Sequence, residues 1–344
     1  MKLNFEQIKA ITTGAVRFEE DDNGIRLYRF TKEQEKLYEE ADIEFYNRSQ
    51  STAGMKFAFK TNSKSMVIKT TIVPRYCRRY FSFDVFVNGE LLGYLDNYAD
   101  DVSIDNYIDP KQRLSEDKFE KEFDLGEGMK SVQVYLPWAV QAVIEEISLD
   151  DNAYVEPIKM GKTLLAFGDS ITHGMDAMRP SNRYVAKLAD FLGADEVNKG
   201  ISGECYFPPL AEMKDDLNPD YITVAYGTND WFKKGRDVFR VNSKAFYQAL
   251  RKNYPNTPIY AITPIWRADF QEEREFGVFE DVEKETREAV KGIPNVTVIR
   301  GYDFVPQDTS YFADSRLHPN DKGFEKYFEK LSKKIKREEI KRRL

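Results

Sequence analysis

Between residues 55 and 87 apolar and polar positions alternate at strand period, in runs at 55–60, 66–73 and 81–87. Such runs predict strands with one face buried and one in water. Asn88-Gly89 separates the third run from Leu91-Leu92-Gly93-Tyr94-Leu95; both positions tolerate positive φ, so the pair predicts a two-residue hairpin. Further strands are expected at 131–136 and 140–149. One helix is expected at 31–46, where Thr31 and Gln34 can form a capping box and Leu37, Ala41 and Phe45 recur every four residues. Short strands with one apolar face must bury it against a second sheet, which predicts a jelly-roll-like β-sandwich.

Near residues 152–161, around the breaker Pro157, the period changes to short apolar strands alternating with helices. Strands are expected at 163–167, 196–199, 221–226, 258–263 and 296–300, each followed by enough chain for a crossover helix. Ser181 can cap a helix carrying Tyr184, Val185, Leu188, Phe191 and Leu192 on one stripe, with Gly193 as its stop. A last helix from about Asp321 turns Phe324, Tyr327, Phe328, Leu331 and Ile335 inward. This half is α/β, with five parallel strands covered by helices.

The chain has 344 residues, 41% hydrophobic and 32% charged, enough for two cores. Residues 1–155 are expected to form the sandwich, an accessory domain, and 156–344 the α/β domain. A net charge of −7 lacks the cationic excess that binds phosphate backbones, which argues against nucleic acid as partner. No stretch reaches the ~18 apolar residues of a membrane span, and the first residues form no apolar signal core, so a cytoplasmic protein without membrane partners is expected. Cys77 and Cys205 are too few for a disulfide framework and lack metal-ligand spacing, and are expected to be buried or half-buried thiols.

The first α/β strand ends in Gly168-Asp169-Ser170, placing a serine outside the carboxyl end of a buried strand, where open α/β sheets bind ligands. A nucleophilic serine needs a base, and only His173 and His318 exist. His173 is on the same turn as Ser170, poorly placed to reach back, and is expected to be a local polar or substrate-facing group. His318 lies in the loop Asp314-Ser315-Arg316-Leu317-His318-Pro319 before the last helix, with a carboxylate nearby to orient its ring. Asn198-Lys199-Gly200-Ile201-Ser202-Gly203 and Gly227-Thr228-Asn229-Asp230 follow the second and third strands. At those strand ends a glycine N–H and an amide side chain can point at a developing oxyanion.

This order of blocks, over roughly residues 162–331, resembles the SGNH (GDSL-type) hydrolases. The resemblance implies a flavodoxin-like three-layer α/β/α domain and a serine esterase. In it Ser170 is the nucleophile, His318 the base and Asp314 the orienting acid. Ser170 N–H, Gly203 N–H and the Asn229 side chain form the oxyanion hole. One departure stands out: the family places its aspartate three residues before the histidine, where this chain has Ser315, with Asp314 four before. A sandwich followed by such a domain is also similar to the two-domain carbohydrate esterases, which implies an acetylated oligosaccharide, of mannan or xylan type, as substrate and partner. Asp169, His173, Trp231, Trp266 and Arg267 are the residues expected to face it, the tryptophans because they follow strand ends where sugar rings can stack. The alternatives are an esterase, thioesterase or lysophospholipase for another small acyl group, or a non-catalytic carbohydrate-binding protein.

Other motifs fail. Gly161-Lys162-Thr163 has Glu156 where a phosphate loop needs glycine and precedes its strand. Thr172 stands where a Gly-x-Ser-x-Gly elbow needs glycine. His-Glu-x-x-His is absent, so no metal and no cofactor is expected.

Overall fold

The computed structural model describes residues 1–75, 78, 80–98 and 117–343. Among these residues two antiparallel sheets face each other across one apolar core. One sheet runs Thr12–Thr13, Lys56–Thr61, Lys130–Tyr135, Ser82–Val87, Glu90–Asp96. The other runs Arg17–Asp21, Gly24–Tyr28, Val140–Leu149, Ser65–Pro74, Asp117–Asp124. Alternating residues of both, among them Phe57, Phe59, Ile68, Ile72, Phe83, Val85, Val132 and Ile144, fill the space between them, the arrangement two half-apolar sheets must adopt. At the predicted hairpin Val87 pairs with Glu90, and Asn88 and Gly89 both take positive φ, at 53° and 85°. Cys205 is half-buried; Cys77 lies outside the described residues.

The second half is a five-stranded parallel sheet in the order Asp195–Asn198, Thr163–Gly168, Tyr221–Ala225, Ile259–Ile262, Val296–Ile299. In chain order this is 2-1-3-4-5, the flavodoxin-like winding, whose crevice opens at the carboxyl ends where the order reverses. The helices Tyr184–Leu192 and Asp321–Arg343 cover one face, the latter through Phe324, Tyr327, Leu331 and Ile335. Arg236–Asn253 and Asp281–Val290 cover the other. Ser181 does not cap the first of these helices: Arg183 occupies the cap position without a side-chain bond, and the Ser181 hydroxyl donates instead to Asp84 of the sandwich at 2.6 Å. No helix among the described residues is long and apolar enough to cross a membrane.

The expected single helix at 31–46 is two, Lys32–Ala41 and Ile43–Ser49. The Thr31–Gln34 capping box is present, but Asp42 breaks the run: its backbone is extended (φ −165°) and its carboxylate caps the second helix through Glu44 N. These helices do not join the sandwich core. Phe30 and Tyr38 are fully buried with Leu165, Phe167, Ile201 and Tyr226 of the parallel-sheet half, and Leu37, Phe45 and Tyr46 pack beside them. At the other junction, Val155–Pro157 adds to the edge of Lys56–Thr61, and the chain enters the parallel sheet at Thr163.

Candidate active site

Asp169 ends the first parallel strand and caps the short helix Ser170–His173, accepting the Ile171 N–H at 3.0 Å. The cap aims Ser170 out of the strand end. Its hydroxyl lies 2.9 Å from His318 Nε2, and His318 Nδ1 lies 2.7 Å from Asp314 Oδ2. A carboxylate can only accept, so Nδ1 carries the proton and Nε2 is left to accept from Ser170. The other oxygen of Asp314 accepts the backbone N–H groups of Arg316, Leu317 and His318 at 3.0, 2.7 and 3.1 Å. Desolvation raises the Asp314 carboxyl, but its bond to His318, the imidazole's field and these N–H groups together hold it well below the usual carboxylate range. The unusual spacing is absorbed at Ser315, whose φ of 55° tightens the loop so that Asp314 meets the ring.

The other strand-end loops come to the same corner. Gly203, at φ 88°, takes a backbone conformation that favours glycine, and a Cβ there would crowd Arg48 Nη1 at 3.1 Å and Lys233 Nζ at 3.4 Å. Both cations grip the loop, Arg48 donating to the Ser202 carbonyl and Lys233 to the Gly203 carbonyl, each at 2.6 Å. Asn229, in the first turn of Thr228–Lys233, donates one amide hydrogen to the Glu204 carbonyl at 3.0 Å. The Glu204 carboxyl is buried and accepts the hydroxyls of Tyr38 (2.7 Å) and Tyr226 (2.6 Å). Burial pushes it up to about 8. Arg29 is fully buried and ties the amino-terminal segment to this loop through the carbonyls of Asn198 (3.0 Å) and Gly200 (2.9 Å).

Five residues expected to face substrate are buried. Asp169 serves as the helix cap, and burial lifts its carboxyl to about 6. His173 is 0% exposed: its Nε2 meets Ser51 Oγ at 2.8 Å and the Trp138 carbonyl at 3.1 Å, and its Nδ1 meets Ser202 Oγ at 3.0 Å. Burial, reinforced by the fields of Arg29, Arg183 and Arg48, keeps this imidazole well below its ordinary pKa and neutral. Trp231 is 0% exposed, donates to the Gly277 carbonyl at 2.9 Å and packs on Phe279. Trp266 is 7% exposed, wedged against Phe312 and Phe270. Arg267, 1% exposed, pairs with Asp269 and donates to the carbonyl and hydroxyl of Thr228 at 3.1 Å. It fastens the Asn229 turn from behind. A position just past a strand end does not tell which way a side chain points, and here the following turn carries the rings into the core.

Two further groups lie near the histidine. Asp176, buried, places Oδ2 3.8 Å from His318 Nδ1, and Arg78 of the sandwich pairs with both its oxygens, Nη2 to Oδ2 at 2.9 Å. Asp176, Asp314 and His318 lie close enough to share an ion, yet both carboxylates are already engaged by donors, an arrangement suited to proton transfer more than to ligation. The signal available was weak: an aspartate three residues beyond His173, and an arginine-rich loop at 75–80.

Residues 166–326 match the model of the GDSL-like lipase/acylhydrolase family. No curated protein matches the sequence. Among solved structures, the salicylyl-acyltransferase SsfX3 from a tetracycline biosynthetic pathway superposes with TM-score 0.75 at 22% identity, over 92% of this chain and 91% of that one. A Bacteroides ovatus ATCC 8483 protein described as a GDSL-like lipase gives 0.76 at 20% identity, over 98% and 97%. A family two carbohydrate esterase from Clostridium thermocellum, solved with cellohexaose, gives 0.66 at 15% identity, over 95% and 98%. The fold is thus shared with these structures along nearly the whole chain, and residues 166–326 are similar to the GDSL-like lipase/acylhydrolase family.

Proposed function

We propose that the protein is a serine esterase that removes acetyl groups from carbohydrate through an acyl-enzyme. The observation that carries this reading is the hydrogen-bonded chain Ser170–His318–Asp314 at the carboxyl ends of a 2-1-3-4-5 sheet. In this reading Ser170 Oγ attacks the ester carbonyl while His318 Nε2 takes its proton, and Asp314 stabilises the imidazolium. Negative charge on the carbonyl oxygen is met by the N–H groups of Ser170 and Gly203 and by the second amide hydrogen of Asn229. The leaving sugar hydroxyl takes the proton back from His318. A water then gives its proton to His318, attacks the acetyl-enzyme, and acetate leaves as Ser170 is reprotonated.

Carbohydrate is supported by likeness along almost the whole chain, sandwich included, to esterases whose names specify it: the Clostridium thermocellum enzyme and an acetyl xylan esterase from Butyrivibrio proteoclasticus, TM-score 0.61 at 14% identity. The test is acetate release from acetylated xylan and mannan oligosaccharides against p-nitrophenyl acetate, with Ser170→Ala as control. Turnover of the small ester alone would leave an esterase of another acyl substrate, and undiminished turnover by Ser170→Ala would remove the mechanism. The acyltransferase likeness supports a second reading, in which the acyl-enzyme is discharged onto an alcohol; an acylated sugar product in place of free acetate would select it.

A further inference from the structure

The histidine is flanked by two carboxylates. Asp314 Oδ2 is 2.7 Å from Nδ1 and Asp176 Oδ2 is 3.8 Å from the same atom. Asp176 follows the serine helix in a left-handed conformation (φ 69°), which aspartate tolerates better than most residues, and is 3% exposed. A second full negative charge beside the imidazole would favour its protonated form. Arg78 crosses from the sandwich and holds Asp176 at both oxygens, placing a positive charge beside it.

We propose that Arg78 and Asp176 are positioning residues for the base: Asp176 is a second carboxylate facing the imidazole, and Arg78 cancels its charge, so the amino-terminal sandwich decides how readily His318 takes up a proton. The inference rests on His318 being the base. The other charged groups bearing on this corner do not supply the same balance. Asp169, under the serine, and Asp321, at the start of the last helix, are both pushed toward the neutral acid by burial, and Asp321 is bonded to Asn182 and to Met178 N. Tyr80, on the sandwich side, is driven by burial well above its ordinary value and stays neutral. Arg316, on the histidine's own loop, turns to Asp269. Arg267 and Lys233 lie on the Asn229 side, engaged with Asp269 and the Gly203 carbonyl. Among the described residues, Arg78 is the cation on the Asp176 side.

The experiment is the pH dependence of kcat/KM for p-nitrophenyl acetate in the full chain, whose acid limb reports ionisation of the base in the free enzyme. Arg78→Gln leaves Asp176 uncompensated and should move that limb up by roughly half to one pH unit. Asp176→Asn removes the second carboxylate from beside Nδ1 and should move it down by a similar amount. The double variant should return near the wild-type limb, and Arg78→Lys should keep it. A merely structural pair would lower kcat in all variants without opposite shifts, and limbs that stay put or move the same way overturn the proposal. Should Arg78→Gln fail to fold, Asp176→Asn and Arg78→Lys still decide it. Ser170→Ala separates the two failures: retained turnover there defeats the reading of His318 as base, whereas abolished turnover with unmoved limbs defeats only this inference.

Discussion

Arg48 donates to the carbonyl of Ser202 at 2.6 Å, across 154 positions of sequence. That carbonyl and the Gly203 N–H belong to one rigid peptide plane, so an amino-terminal guanidinium fixes the direction of a proposed oxyanion donor. Arg48→Met should therefore lower kcat by about tenfold with little change in KM, since a misaimed donor costs most in the transition state. Arg48→Lys should recover part of the loss. A pure KM effect in steady-state kinetics would instead place Arg48 in substrate binding.

Asn229 is held by the Glu204 carbonyl through one amide hydrogen, leaving the other for developing charge. Asn229→Ala is expected to reduce kcat by roughly 10² to 10³ while KM stays near wild type. An unchanged kcat would show that Gly203 and Ser170 suffice.

Asp314 and Ser315 compete for the role of orienting group in sequence, and their geometry separates them. Asp314→Asn should cost on the order of 10³ in kcat at neutral pH, because the amide no longer selects the productive tautomer. Ser315→Asn should stay within a few-fold, since asparagine tolerates the left-handed backbone found there. Similar small losses would point to a dyad.

The amino-terminal half is expected not to detach cleanly from the parallel-sheet half. Its Phe30 and Tyr38 are buried in the parallel-sheet core, and the buried Lys199 bonds to Asp215 at 2.7 Å, Gln34 at 2.9 Å and the Arg29 carbonyl at 2.7 Å. A chain beginning near Glu156 would expose that apolar face and leave Lys199 short of partners. It should show no cooperative thermal transition by circular dichroism. A sharp transition near that of the full chain would mean the halves are independent.

Burial lifts Glu204 to about 8, Asp230 to about 7 and Asp169 to about 6. Unfolded carboxyls titrate near pH ~4, so between these values the folded state binds protons the unfolded state has released. Stability is then lost as pH rises from the ordinary carboxylate range through each folded value. The opposite contribution of Asp314 acts only at more acidic pH. The melting temperature should thus fall between about pH 5 and about pH 8, and Glu204→Gln, which has no proton to lose, should flatten the decline. A midpoint that climbs over that interval would show these groups ionised in the fold.

Features set within a few residues were legible in the sequence: the Thr31–Gln34 capping box, the Asn88-Gly89 hairpin, the five apolar strands with turns after them, and the serine at the first strand's end. They depend on hydrogen bonds and side-chain periods that span a turn or two of chain, so local order determines them. What tertiary structure alone decided were directions and long-range partners. Trp231, Trp266, Arg267 and His173 turned inward because neighbouring elements closed over them, and Asp314 met His318 because Ser315 could adopt positive φ. Arg29, Arg48 and Arg78 reached the strand-end loops from more than ninety positions away in sequence. A buried guanidinium finds its carbonyl or carboxylate only once packing has excluded water from both, and no local pattern encodes that pairing.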